Sequence, residues 1–281
     1  KDAFHYKAVV DCHMDYTLES SSKERRLLFH AWSKNPVCRR ILRRADGYIA
    51  ISESARRWLS REWGIHREKI VMIPLGAETD IFSSDTFKRK IMRNKLGIAE
   101  DDVVIVYAGK MHPKKDIEVL LRAAVPLINK YRSVKILLIG NGSKEYMEKL
   151  HQLVRKYDIK NHVLFYPFQH KTVLPDYYNA ADVGVWPGQD SITIVEAMAT
   201  GLPIIIPRSY RNIHYIENGN GFNFRRGSWK ELMEYLKQLI VNGKLRREMG
   251  LKSRRLAETK LGWDVIAKHT IDFYMKAMTS L

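Results

Sequence analysis

The chain has 281 residues, 45% of them hydrophobic, which is enough apolar material for about two packed domains and excludes a disordered or fibrous protein. Its two cysteines, Cys12 and Cys38, exclude a disulfide framework and fit a reducing compartment. A net charge of +17 points to an anionic partner, whether nucleic acid, a phospholipid surface or a phosphorylated substrate.

Taken in chain order, residues 8–12 read as a strand with His13 at its carboxyl end, where a polar contact or proton acceptor would sit. Residues 23–44 have a helical pattern interrupted at Asn35-Pro36. A strand follows over 46–52, and Ser52 can cap a helix bearing Glu53, Ala55, Trp58 and Leu59 that ends near Gly64. Residues 70–73 form another strand. The segment 23–61 carries Lys23, Arg25, Arg26, Lys34, Arg39, Arg40, Arg43, Arg44, Arg56, Arg57 and Arg61 among Leu27, Leu28, Phe29 and Trp32. That is either an amphipathic basic surface for an anionic membrane or a solvated helix face.

Residues 77–102 break the alternation and read as a hinge, so the boundaries fall at 1–85 for a first domain and 86–102 for a linker. From 103 the alternation restarts, with strands at 103–108, 134–139 and 162–166 and helices near 116–131, 143–157 and 173–180. The stretch 178–207 then supplies a buried strand, a turn over 187–190, a short helix over 191–200 and the strand Ile204-Ile205-Ile206. Such repetition predicts an α/β fold with a doubly wound parallel sheet over 103–262, and a final helix, 263–281, returning to the first domain. Apolar runs are far shorter than the roughly 20 residues that span a bilayer, so no transmembrane helix is expected. The opening at Lys1, close to a strand, reads as the interior of a domain, so the first domain is expected to be incomplete.

A doubly wound sheet binds ligands at the carboxyl ends of its strands, where helix N–H groups attract phosphate. Three loops lie at such ends. The first holds Gly109, Lys110 and Lys115, with two cations flanking a helix start. The second is Gly140-Asn141-Gly142-Ser143, which lacks the third glycine of a dinucleotide fingerprint and suits a tight turn. The third holds Gly188, Gln189, Asp190, Ser191 and Thr193, with Glu196 about one turn on; Glu196 reads either as a surface decoration or as a site carboxylate. No P-loop, zinc spacing or nucleophile elbow is present.

Together AGKMHPKKD, LLIGNGS, LPDYYNAADVGVWP and EAMATGLPII resemble the retaining nucleotide-sugar glycosyltransferases of the GT-B fold, family 4, over nearly the whole chain. The resemblance implies two Rossmann-like domains and transfer from a nucleotide-diphosphate sugar without metal or other cofactor. It implies that Lys110 and Lys115 hold the donor diphosphate and that the backbone of Ser191, Ile192 and Thr193 meets phosphate. It further implies that Glu196 bonds the ribose, that His13 and Gly109 approach the donor, and that Phe168 lies near the base. The family's paired glutamates are eight positions apart, yet this chain has Gly188 at the partner position of Glu196; Asp190 is the candidate substitute. The expected partners are the nucleotide sugar, a glycan or lipid-linked acceptor of the cell envelope, and an anionic membrane surface at 23–61. The expected location is cytoplasmic, peripheral to the membrane. Two other readings stay open: a basic nucleic-acid-binding α/β module, weakened by the lack of a recognisable nucleic-acid motif, and a catalytically silent nucleotide-sugar binder.

Overall fold

The computed structural model describes residues 6–13, 24, 27, 31 and 34–279; the expected contributions of Lys23, Arg25, Arg26, Leu28, Phe29 and Trp32 lie outside them. The chain divides into two compact units. One comprises Lys1–Leu75, Tyr210–His214 and Trp263–Leu281, the other Gly76–Ser209 and Tyr215–Gly262.

In the first unit, strands β1 (Val9–Cys12), β2 (Gly47–Ala50) and β3 (Ile70–Met72) pair in parallel in the order β1-β2-β3. A short helix α1 (Pro36–Leu42) precedes β2, and α2 (Glu53–Trp63) follows it. The expected cap is present: Ser52 Oγ accepts from Ala55 N at 3.2 Å, and Gly64 ends the helix in the left-handed region at φ 68°. The apolar face of α2 buries Trp58, Leu59 and Trp63 beside Tyr48. The last helix of the chain, Trp263–Thr279, also belongs to this unit; its Phe273 ring lies 2.6 Å from where a β-carbon on Gly47 would stand, so a larger residue at 47 would push that helix away.

The second unit opens with helix α3 (Thr86–Leu96), inside the stretch read as a linker. Its signals were local. Asp85 caps the N–H groups of Phe87 and Lys88, and Gly97 closes the helix at φ 65°. Residues 86–102 are therefore structured and packed in the second unit rather than free.

After α3 come β4 (Val103–Ala108), α4 (Ile117–Lys130), β5 (Val134–Ile139), α5 (Lys144–Lys156), β6 (Val163–Tyr166), α6 (Leu174–Ala180), β7 (Val183–Val185), α7 (Thr193–Ala199), β8 (Ile204–Pro207) and β9 (Gly221–Phe224). Helices α8 (Trp229–Val241) and α9 (Gly243–Leu256) and a π turn, Ala257–Leu261, follow, and α10 is the final helix, Trp263–Thr279. All strand pairs are parallel, in the order β6-β5-β4-β7-β8-β9. All six residues of β4 are buried, because helices cover both faces and a strand in that position has no wet side. This explains why its sequence is an unbroken apolar run rather than an alternation. Strand β9 is absent from the sequence reading; GFNF is short and bounded by polar residues, and pairing to β8 rather than its own pattern makes it a strand. No helix among the described residues is long and apolar enough to cross a membrane.

Candidate functional site

Chain order reverses between β4 and β7, which are hydrogen-bonded neighbours although β5 and β6 lie between them in sequence. In open parallel sheets the carboxyl ends of the strands at such a switch point are where a ligand crevice forms; here the loops after β4 and β7 meet there, Gln189 N donating to Lys114 O at 2.9 Å. Ten of the eleven expected site residues lie in this second unit. His13 belongs to the first, exposed at the end of β1 with Nε2 3.3 Å from Asp11 Oδ2.

The floor is a buried hydrogen-bonded cluster. Trp186, fully buried, donates from Nε1 to Ala108 O at 2.8 Å and to Thr193 Oγ1 at 3.0 Å. The Thr193 hydroxyl donates to the same carbonyl at 2.7 Å, and its oxygen lies 2.8 Å from Ser191 Oγ. These bonds tie the end of β4 to the start of α7. Gly109 follows at φ 142°, and Gly140 at φ 144° is pressed so close that a β-carbon there would lie 1.9 Å from Gly109 O. Only glycine fits both demands of position 140, a left-handed backbone and contact with a neighbouring carbonyl. The turn read as merely tight is thus also a point of close loop approach. Asn141 continues it, accepting from Met111 N through its backbone at 2.8 Å and from Phe168 N through Oδ1 at 3.1 Å. Phe168 itself is exposed at the end of β6.

Lys110 is exposed, with its backbone carbonyl held by the hydroxyl of buried Tyr107 at 2.9 Å. Burial pushes the Tyr107 phenol pKa well up, so it stays protonated as a donor. Lys115 is placed differently from expectation. Its Nζ donates to the carbonyls of Gln189 at 3.0 Å and Asp190 at 2.6 Å, so the ammonium fastens the loop that leads into α7. Gln189 N in turn donates to Lys114 O at 2.9 Å. Between these bonds lies buried Gly188, where a β-carbon would stand 2.4 Å from both Lys114 O and Lys115 C. The backbone of 114–115 fills the space any side chain at 188 would need, so the missing carboxylate is accompanied by a loop that has closed in. Asp190 contributes its backbone carbonyl to Lys115.

Ser191, Ile192 and Thr193 form the entry to α7. Ile194 N, Val195 N and Glu196 N bond back to Ser191 O and Ile192 O, which leaves the preceding N–H groups at the helix end facing outward, as helix geometry requires. Glu196 comes one turn later. Its Oε2 is shielded from solvent and has no hydrogen-bond partner. Burial raises its pKa to about 7, Glu78 adding to the rise and Lys171 opposing it. Glu78 and Lys171 pair with each other at 2.9 Å, a contact between residues far apart in sequence that nothing local announced. A half-buried carboxyl with a shielded, unpartnered Oε2 is chemically equipped to accept hydrogen bonds from hydroxyl groups.

The sequence reading also missed Trp186 and Tyr107 as organisers of the floor, because apolar packing alone accounts for an aromatic residue in a buried strand. The Trp186 N–H finds the Ala108 carbonyl only when β4 and β7 are adjacent, whereas the Tyr107 hydroxyl bonds the Lys110 carbonyl three residues on.

Comparison with known proteins agrees with this geometry. The profile of the glycosyl transferases group 1 family matches residues 88–256, and that of glycosyltransferase family 4 matches residues 2–81. The chain is 31% identical over 202 residues to spore coat protein SA of Bacillus subtilis, covering 67% of this chain and 52% of that protein. It is 26% identical over 245 residues to the D-inositol 3-phosphate glycosyltransferase of Xylanimonas cellulosilytica, covering 83% of this chain and 57% of that protein. The chain thus spans about half the length of the curated relatives it matches. Among solved structures, Anabaena HepE in complex with UDP superposes with a TM-score of 0.83 at 20% identity, covering 98% of this chain and 74% of that one. Sucrose-phosphate synthase of Thermosynechococcus elongatus gives 0.79 at 20% identity, covering 98% and 69%. With a parallel sheet reversed at the β4/β7 crevice and a profile match across most of the second unit, the chain belongs to the glycosyl transferases group 1 family, on the GT-B fold.

Proposed function

We propose that this chain serves a retaining glycosyltransferase that moves a sugar from a nucleotide-diphosphate donor to a glycan or lipid-linked acceptor without a metal ion. The observation that carries the reading is Glu196: a half-buried carboxyl with a shielded, unpartnered Oε2 on the helix that follows β7, suited to the paired hydroxyls of a nucleotide ribose. UDP in the HepE complex is consistent with a uridine nucleotide as the first candidate. In this reading Lys110 and the N–H groups of Ser191, Ile192 and Thr193 stabilise the charge that gathers on the leaving diphosphate. Lys115 acts on the same charge and also holds the 188–191 loop in place, since its ammonium already bonds two carbonyls there. His13, Gly109, Asp190 and Phe168 keep their roles near sugar, backbone and base as part of the proposal.

The test is a thermal-shift screen against UDP, GDP, ADP and their sugar conjugates, because a ligand bound only by the folded state raises Tm. One nucleotide is expected to give a selective shift that Glu196→Ala abolishes. A shift retained in full by that variant would remove Glu196 from the ribose, and no shift with any nucleotide would overturn the reading.

Gly188 favours a second reading, a nucleotide-sugar binder that does not turn the donor over, since no side chain fits where the family places a carboxylate. Release of free sugar or nucleotide from a bound donor separates the two. An anionic membrane is the proposed site of action: on α1, Val37 and Ile41 are each 64% exposed beside Arg39, Arg40, Arg43 and Arg44. Liposome binding should be lost when those four arginines are neutralised.

A further inference from the structure

At the opposite edge of the second sheet, by the amino ends of β7 and β8, lies a cavity of about 390 Å³. Its lining includes Ala181 and Asp182 just before β7 and Leu202 and Pro203 just before β8, so it shares no residue with the crevice at the carboxyl ends. The volume falls in the range of small-ligand pockets, about 300–1,000 Å³.

The charges around it do not balance internally. Arg89, Arg246 and Arg247 line it, against two carboxylates, Asp85 and Asp182, and both carboxylates are already committed. Asp182 accepts from Arg89 Nη2 at 2.8 Å, from Val104 N at 2.8 Å and from the buried Arg93 Nη1 at 3.3 Å. Asp85 caps α3 through Oδ1, 2.9 Å from Phe87 N and 3.0 Å from Lys88 N. Arg246 is half-buried and donates from Nη1 to the carbonyls of Leu239 and Ile240, at 2.5 and 3.1 Å, which leaves it without a carboxylate among the described residues. The Arg247 side chain is exposed and has neither an ion pair nor a hydrogen bond among them. Burial depresses the Arg246 pKa; Asp182 opposes this, while the Arg89 and Arg247 charges add to it. A negative ligand would relieve that strain. Gly243, at the start of the fourteen-residue helix α9, also lines the cavity, so the positive end of that helix adds to the same field.

We infer that this cavity is a second anion site, separate from the crevice, that takes a phosphoryl group of a small molecule on the forked guanidinium groups of Arg246 and Arg247. Guanidinium forks match phosphate oxygens two at a time, and the space beyond a single phosphate leaves room for the group that carries it.

The test uses inorganic pyrophosphate as probe, in isothermal titration calorimetry at fixed ionic strength, on the Lys110→Ala protein so that binding in the crevice is weakened. Saturable binding is expected there, weakened at least about tenfold by adding Arg247→Glu or Arg246→Gln, as loss of a charge-assisted phosphate contact implies. The Arg247 side chain has no partner to lose and a glutamate there would lie beside Arg246 and Arg89, so the unliganded Tm of the Arg247→Glu variant should not fall below that of its parent; Arg247→Ala provides a second variant with the same expectation for binding. Absence of saturable pyrophosphate binding would overturn the inference. So would binding that both arginine changes leave within about twofold of the parent. A failure of the nucleotide screen would leave this outcome unaffected, since the two tests read different residues.

Discussion

Replacing Glu196 by glutamine removes the ionisable proton while keeping the shape of the side chain. In the folded protein burial, with Glu78 nearby, raises the Glu196 pKa from the ordinary 4.5 to about 7. Below the ordinary value both folded and unfolded chains hold the proton and the carboxyl exerts no pH-dependent effect. As pH rises from there, the unfolded chain releases its proton first, so stability falls until the folded carboxyl also ionises near 7 and is constant above that. At about 1.4 kcal/mol per pH unit, the cost at pH 8 is at most about 3.5 kcal/mol. Glutamine escapes it, although its amide exchanges one unpartnered polar group for another at a cost of about 1 kcal/mol that does not change with pH. The stability difference between variant and parent, measured by urea unfolding, should therefore move in favour of glutamine by about 3 kcal/mol between pH 4.5 and pH 8. Parallel pH profiles for the two proteins would refute the placement of a half-buried carboxyl with a shielded, unpartnered Oε2 at 196.

The same carboxyl makes nucleotide binding pH-dependent: if hydroxyls bond its ionised form, affinity should strengthen from pH 6 to 8 and the dependence should vanish in Glu196→Gln, as read by calorimetry. Gly188→Ala would place its β-carbon 2.4 Å from Lys114 O, so the loops must separate; a drop in Tm and loss of the nucleotide shift are expected, and restoring a glutamate there should do no better. Lys115→Ala should lower turnover by at least about tenfold through loss of charge at the leaving group and of the loop tie, with a modest fall in Tm because two loop carbonyls lose their donor; an unchanged rate would exclude both roles. In the first unit, Glu53 is paired with Arg56, Arg57 and Arg67, and although burial opposes it, hydrogen bonds from Arg57 and Arg56 hold its pKa below the usual value. Its contribution is present above the ordinary carboxylate pKa and lost as pH falls through the lower folded value, so Glu53→Gln should flatten the acid limb of the stability profile.

Much of the fold is written locally. Unbroken apolar runs such as 103–108 and 136–139 had to be strands covered on both faces, and Ser52 with Gly64 marked both ends of α2 without reference to anything distant. The caps Asp85 and Gly97 carried the same message for α3, yet the basic stretch between them read as linker because its apolar residues are sparse. That helix is held by arginines 89 and 93 reaching Asp182 and the carbonyls of Asn179, Ala180 and Ala181, partners some ninety positions away. The loops of the site were legible as motifs, and Gly188 was recognisable as a departure from the family pattern.

What the motifs meant in space was decided by strand order. Side-chain periodicity repeats every two or 3.6 residues and carries no information about which strand lies beside which. Only when β4 and β7 become neighbours does Trp186 meet Ala108 O, 78 positions away in sequence, and Gly188 meet the backbone of Lys114 and Lys115. Burial of Glu196 and the closing of the 114–115 loop depend on that adjacency. So do the elevated pKa and the filled side-chain space, because desolvation and steric exclusion belong to the packed sheet and to no segment of the chain taken alone.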